Sequence, residues 1–276
     1  MKKESEIKKT ILITAVLMLI SFVSCGEEEI KSYWLENDIT IDGDQMDWQG
    51  KLHYLADEQS ALGIANDDEN LFLCLATNNT AKMFQFFVTG FTVWFEPQNG
   101  DEKIGIQYPL KSDDIKRMMQ MRKRPGEGEG PDFKIRLAEF KNLQNEIRIV
   151  NEDNFPLTAY SLNNEIGIEV DVGYQMGQLV YEMRIPISKP LFGDHNLNLL
   201  PGDKVTLAFE SGKFDRSDSG VREKRPGFGM GGGGGGGRGR GGSGGGGSPS
   251  GRSRNSGFEQ ISFEVEVTLA KKSTTN

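Results

Sequence analysis

Residues 261–270 read ISFEVEVTLA. Phe263, Val265, Val267 and Leu269 alternate with Ser262, Glu264, Glu266 and Thr268. An extended chain therefore puts the apolar side chains on one face and the polar ones on the other, the pattern of a half-buried strand. Its position matters as much as its pattern. It follows residues 226–251, a 26-residue tract with 17 glycines that can bury no core. A strand with a face to bury beyond such a tract makes the tract an excursion inside a domain, not a tail. Closing a flexible loop of about 40 residues costs on the order of 3 kcal/mol. Burying four large apolar side chains at about 1.5–3 kcal/mol each outweighs that cost.

Working outward from this segment, the same period-two alternation recurs in short runs bounded by Gly, Asn, Asp and Pro. It predicts strands at 39–41, 61–65, 71–77, 91–96, 104–108, 133–140, 146–150, 165–172, 179–185 and 205–210, with 261–269 as the last. Met83, Phe84 and Phe87 share helical spacing and predict one short helix over 80–88. Repeated βαβ units are absent, which excludes a doubly wound nucleotide-binding sheet. The expected fold is all-β: a single antiparallel β-sandwich over 37–272, with a disordered Gly-rich loop at 226–255 before the last strand. A second irregular insert, 111–131, holds Arg117, Arg122, Lys123 and Arg124 ahead of a GEGEG run.

The chain has 276 residues, 32 basic and 40 acidic, for a net charge of −8. Residues 1–24 and the glycine tract each contribute +2, which leaves the remainder near −12. So acidic a body argues against a nucleic-acid partner. Arg238 and Arg240 in the tract, with Arg222, Lys224, Arg225, Arg252 and Arg254 around it, read as a mildly basic flexible loop.

The N-terminus is of another kind. Lys2, Lys3, Lys8 and Lys9 precede a 13-residue apolar run, residues 11–23. As a helix it would rise about 20 Å, short of a hydrocarbon core of about 30 Å, so it reads as a signal peptide over 1–24. The following FVSC (22–25) resembles a bacterial lipoprotein lipobox, with Phe22 in place of the usual aliphatic residue. That resemblance implies acylation of Cys25, a tether over 25–36, and outer-membrane lipid as a partner. Glu27, Glu28 and Glu29 resemble an export tag to the outer face of that membrane, which makes cell-surface exposure an expectation. With Cys25 acylated, Cys74 has no intramolecular partner and reads as a small buried hydrophobe.

The most specific internal motif is ITIDGDQMDWQG, residues 39–50. Asp42-Gly43 is a turn signal directly after an apolar run, and Trp48 is a large anchor for the core. Here the sequence resembles the family 9 carbohydrate-binding modules and the wider DOMON-like β-sandwiches. Their first strand reads as an apolar residue, Asp-Gly, a few polar residues, then Asp/Glu-Trp; Ile41, Asp42, Gly43, Asp47 and Trp48 match. Residues 63–77, 91–97, 179–188 and 201–210 match later strands of the family in order. The resemblance implies a noncatalytic module that binds carbohydrate, in some members with structural calcium; a surface scaffold that kept the sandwich and lost the sugar site is the alternative.

Sugar rings stack on aromatic faces, so Trp94, Trp34 and Tyr108, with Tyr33, are the candidate ligand residues. Trp94 shares its strand face with Thr92 and Glu96, which leaves it either exposed or in a second packed layer. Asp42, Asp44 and Asp47 are candidate calcium ligands, and Asp67 and Asp68 form another acidic turn. His53 and His195 are the only histidines, too few to make haem the expected cofactor. No G-x-S-x-G, HExxH or phosphate loop with Gly-Lys-Ser/Thr is present, so no enzyme is expected.

Overall fold

The computed structural model describes residues 29–98, 102–113, 133–213 and 260–273. Among these residues thirteen strands form two sheets. The seven-stranded sheet runs in the order β1 (Glu29–Lys31), β13 (Ser262–Thr268), β12 (Lys204–Ser211), β6 (Phe91–Pro97), β7 (Ile104–Gln107), β8 (Glu146–Val150) and β9 (Pro156–Ser161). The six-stranded sheet runs β10 (Glu169–Gln175), β11 (Gln178–Pro186), β5 (Asn70–Thr77) and β4 (Ser60–Asn66). The free edge of β4 is shared by β3 (Leu52–Leu55) and β2 (Tyr33–Trp34). All pairings are antiparallel except β1 with β13 and β2 with β4.

The ISFEVEVTLA segment does what its alternation requires. β13 pairs with β12, Val265 opposite Leu207, and Val265, Val267 and Leu269 are buried while Ser262 and Glu264 face water. The inward side chains of the two sheets, among them Phe91, Phe95, Phe209, Leu73, Tyr181 and Met183, make one continuous core. The glycine tract and most of the 111–131 insert, including Arg117, Arg122, Lys123 and Arg124, lie outside the described residues.

Part of the stretch expected to be tether is sheet. β1 and β2 are one extended segment broken at Ser32, where the chain leaves the edge of one sheet and joins the edge of the other. Asn66 secures the crossing. Its Oδ1 accepts from the Ser32 hydroxyl and from Ala270 N at 2.8 Å, and its Nδ2 donates to Ala270 O at 3.1 Å. Asn66 is fully buried, so these bonds leave its amide few unmet partners.

Three expectations are corrected. Residues 39–41 form no strand; they pass over the outside of the six-stranded sheet. Residues 133–140 were expected as a strand from Phe133, Ile135 and Leu137, but form a helix, α2 (Phe133–Leu143). Leu137 and Phe140 sit three apart and both are buried, with Phe140 edge-on to Phe87 at 4.6 Å. That spacing and the Ala, Glu, Lys and Leu content override the shorter alternation. The strand expected at 165–172 begins later, at Glu169. The helix expected over 80–88 is α1 (Thr80–Thr89), started by Asn79, whose side chain accepts from Ala81 N and Lys82 N.

The strand directions define two poles. The start of β13, the end of β12, the start of β6 and the turn from β10 to β11 gather at one pole. Asn66, Pro97 and Lys204, the opposite ends of β4, β6 and β12, gather at the other.

Candidate functional site

The Asp42–Trp48 motif builds a buried polar centre on the outside of the six-stranded sheet. Asp44 caps a single 3-10 turn, Gln45–Trp48, by accepting from Met46 N. That turn lays the Trp48 ring on Gly63 of β4, so close that a Cβ on Gly63 would stand 2.5 Å from Cε3. Ile39, Phe72, Cys74 and Val180 complete a small second core around the indole. Glu182 of β11 sits at its centre with no exposed surface. Its Oε2 accepts from the backbone N–H groups of Asp42 (3.1 Å), Gly43 (2.6 Å) and Asp44 (3.2 Å), and its Oε1 from Trp48 Nε1 (2.7 Å).

Burial pushes the Glu182 carboxyl up to about 7, against the opposing pull of the Trp48, Gly43 and Asp42 hydrogen bonds. Gly43 (φ 78°) lies against Gly173, where a Cβ on either residue would overlap the other's backbone. The Glu182 carboxylate and the Trp48 ring are closed to solvent, and together they hold the N-terminal segment on the sheet. Cys74 lies in the same layer, and burial followed by the Glu182 charge raises its thiol pKa well above the usual range.

The structure keeps the candidate ligand residues apart. Tyr108 is inside the main core. Trp34 is half-buried at the edge of β4, and Tyr33 stacks on His53 with ring centres 5.8 Å apart. Trp94 faces outward from the seven-stranded sheet but is only 4 % exposed. Its ring lies on Gly105, its Nε1 donates to Glu210 at 3.0 Å, and the Lys103 ammonium stands 5.6 Å from its centre.

The aspartates expected as calcium ligands each serve a backbone N–H. Asp42 accepts from Asp44 N, Asp44 from Met46 N, and Asp47 from Thr40 N. Among the described residues no group of three or more His, Cys, Asp and Glu side chains is placed to hold a metal ion.

A cavity of about 320 Å³ opens at the pole where β6 ends and β12 begins. Its wall includes Glu102, Asp194, His195, Asn196, Asn198 and Lys204. The loop from Leu191 to Leu199 supplies most of these groups. It is pinned by the buried Leu191, Leu197 and Leu199, so the polar residues between them project from a fixed base. His195 pairs through Nδ1 with Glu102 and stacks on Phe192, 5.9 Å between ring centres and 4° from parallel. Lys204 is drawn to Glu266 and Glu29, and the Glu266 hydrogen bond in particular raises its pKa. Carboxylates therefore outnumber free cations along this wall, which suits a neutral ligand rich in hydroxyls better than an anion. Of these residues only His195 stood out in the sequence, as a lone histidine. The signal that could have found the loop's share of the wall is the polar run Asp194-His195-Asn196 set between Leu191 and Leu197.

Two solved structures of a family 9 carbohydrate-binding module from Caldicellulosiruptor kristjanssonii resemble this chain. This is a likeness, not an identity. The one in complex with glucose has 11% sequence identity and a TM-score of 0.35, covering 69% of this chain and 81% of the module. The one in complex with cellotriose has 12% identity and a TM-score of 0.36, covering 90% of this chain and 96% of the other. Both belong to the family that the Asp42–Trp48 motif resembles. No family profile and no curated protein matches the chain.

Proposed function

We propose that the mature protein is a noncatalytic lipoprotein, held in the outer membrane by acylated Cys25, that binds a neutral carbohydrate in the polar cavity at the pole of the sandwich. The observation that carries this reading is the cavity itself. Its size suits one or two sugar rings, and its carboxylates, amides and imidazole offer the mixed acceptors and donors that hydroxyl groups require. The motif order that resembles carbohydrate-binding modules supports the same ligand class.

Titration calorimetry with glucose and cellotriose, the sugars bound by the similar modules, tests the reading, with a neutral glycan array for breadth. Binding that Glu102→Gln weakens about tenfold or more and Asn196→Ala about threefold or more supports it, since a hydrogen bond to a charged group is worth about 1.5–3 kcal/mol and a neutral one about 0.5–1.5 kcal/mol. Silence across the array leaves the scaffold reading in its place. Release of reducing sugar from any glycan would overturn the noncatalytic part. Mass spectrometry of the N-terminal peptide tests the anchor: acylated Cys25 is expected, and an unmodified thiol in membrane fractions would contradict it. Protease shaving of intact cells tests surface display, with cleavage expected and full protection contradicting it.

A further inference from the structure

The pairing of β1, β13 and β12 sets two glutamates side by side. Glu29 of β1 stands opposite Glu266 of β13, and Glu266 stands opposite Thr206 of β12. Val265 and Val267 point into the core, so Glu266 and its neighbour Glu29 project from the outer side of the sheet, as does Lys204, two residues before Thr206. Like charges directly opposite one another on neighbouring strands weaken a sheet. Here the Lys204 ammonium lies between them, 2.5 Å from Glu266 Oε1 and 3.3 Å from Glu29 Oε1. Two further bonds fix the clasp: the Thr268 hydroxyl donates to Glu29 Oε1 at 2.9 Å, and Gln98 Nε2 donates to Glu266 Oε2 at 2.7 Å. The Thr268 hydroxyl, then Lys204, and more weakly the Lys31 charge hold the Glu29 carboxyl below the usual carboxylate range.

The clasped lysine also belongs to the cavity. Among the described residues that line it, Lys204 is the one lysine or arginine, and Glu102, Asp194 and Asp203 are the carboxylates. Glu102 is paired with His195, and Asp203 accepts from Leu200 N at 2.9 Å. With Lys204 drawn to the outer face by Glu266 and Glu29, these described residues present negative charge without a free cation. A lysine stem is flexible, so an ammonium released from the two glutamates can turn into the cavity that it borders. A negatively charged sugar meets repulsion in the first arrangement and an attractive partner in the second.

We propose that Glu29 and Glu266 are positioning residues that hold Lys204 out of the cavity, and so restrict the site to sugars without a negative charge. This rests on the reading of the cavity as a carbohydrate site. It also makes β1 part of that site, since one of the two carboxylates comes from the three residues that pair with β13.

The test uses the full chain in a polyoxyethylene detergent, which carries no sugar headgroup, at low ionic strength, where screening is weak. Glucose and glucuronate, which differ by one carboxylate, are titrated into the wild type, Glu29→Gln, Glu266→Gln, the double variant, and the double variant with Lys204→Gln added. In parallel, trace acetylation with acetic anhydride, read by mass spectrometry, reports the reactivity of Lys204 against that of Lys189. Exposed ion pairs add little to stability, so these variants should melt with the wild type. In the double variant, acetylation of Lys204 is expected to rise several-fold and the ratio of glucuronate to glucose affinity about tenfold. Each single variant should show less, with Glu266→Gln the larger of the two. Adding Lys204→Gln should remove most of the gain in the ratio. Unchanged acetylation, an unchanged ratio, or a gain that survives Lys204→Gln would overturn the role of the two glutamates. Raised acetylation with neither sugar bound by any variant would instead overturn the carbohydrate reading, and the selectivity with it.

Discussion

Trp48 and Trp94 solve the same local problem on the outer faces of the two sheets. Each lies on a strand glycine, Gly63 or Gly105, and each indole N–H donates to a glutamate from another strand of the same sheet, Glu182 or Glu210. The difference is what comes next. Over Trp48 the N-terminal segment adds a further layer, and Glu182 takes three more backbone N–H groups and loses all contact with water. Over Trp94 the cover is Lys103 and Glu210, with Val150 and Ala208 as its buried apolar company among the described residues. The pair teaches that a tryptophan–glycine–glutamate contact becomes a structural keystone only when another piece of chain closes over it.

That contrast can be broken by matched substitutions. Trp48→Ala is expected to cost about 4 kcal/mol in urea denaturation, and Trp94→Ala about half as much, because only the first empties a closed core. Equal losses would mean that the outer layer over Trp48 contributes little. Glu182→Ala strands three backbone donors and the Trp48 indole away from water, for an expected loss of about 3 kcal/mol. Glu210→Ala leaves a donor that water can reach, so about 1 kcal/mol or less is expected.

The pH dependence sharpens the comparison further. Burial raises the folded-state pKa of Glu182 to about 7, above its unfolded value. The folded chain therefore binds more protons between the two values, and this group's contribution to stability grows as pH falls from above 7 toward the ordinary carboxylate range. The melting temperature of the wild type should fall more steeply than that of Glu182→Gln between about pH 5.5 and pH 8. Parallel curves would show that Glu182 does not titrate there. The smallest effect concerns the glycines. Gly63→Ala is expected to cost about 2 kcal/mol and Gly105→Ala about 1 kcal/mol, since the Trp94 ring has more room to lift than the enclosed Trp48 ring.

The sandwich was legible because its strands carry their burial in the sequence. The alternation of residues 261–270 placed a last strand beyond the glycine tract, and β13 sits there. The Asp42-Gly43 turn and Trp48 anchor were legible as local chemistry, but not their partner. Glu182 lies about 140 positions away, and nothing in its own strand marks it as buried rather than solvent-facing. The helix at 133–143 was misread because its first five residues alternate, and only the Leu137–Phe140 spacing betrays the true period. Most of the cavity went unseen because its wall combines one pinned loop with Glu102 and Lys204, brought together only by the pairing of β6 with β12.

The central claim is that a neutral sugar enters the cavity at the pole where β6 ends and β12 begins. Amide NMR of the soluble domain during titration with cellotriose and glucose tests it most directly. The account predicts shifts concentrated at residues 194–199 and 102, with Trp34 and Trp94 unmoved. Shifts confined to Trp34 or Trp94, with residues 194–199 silent at saturation, would contradict it.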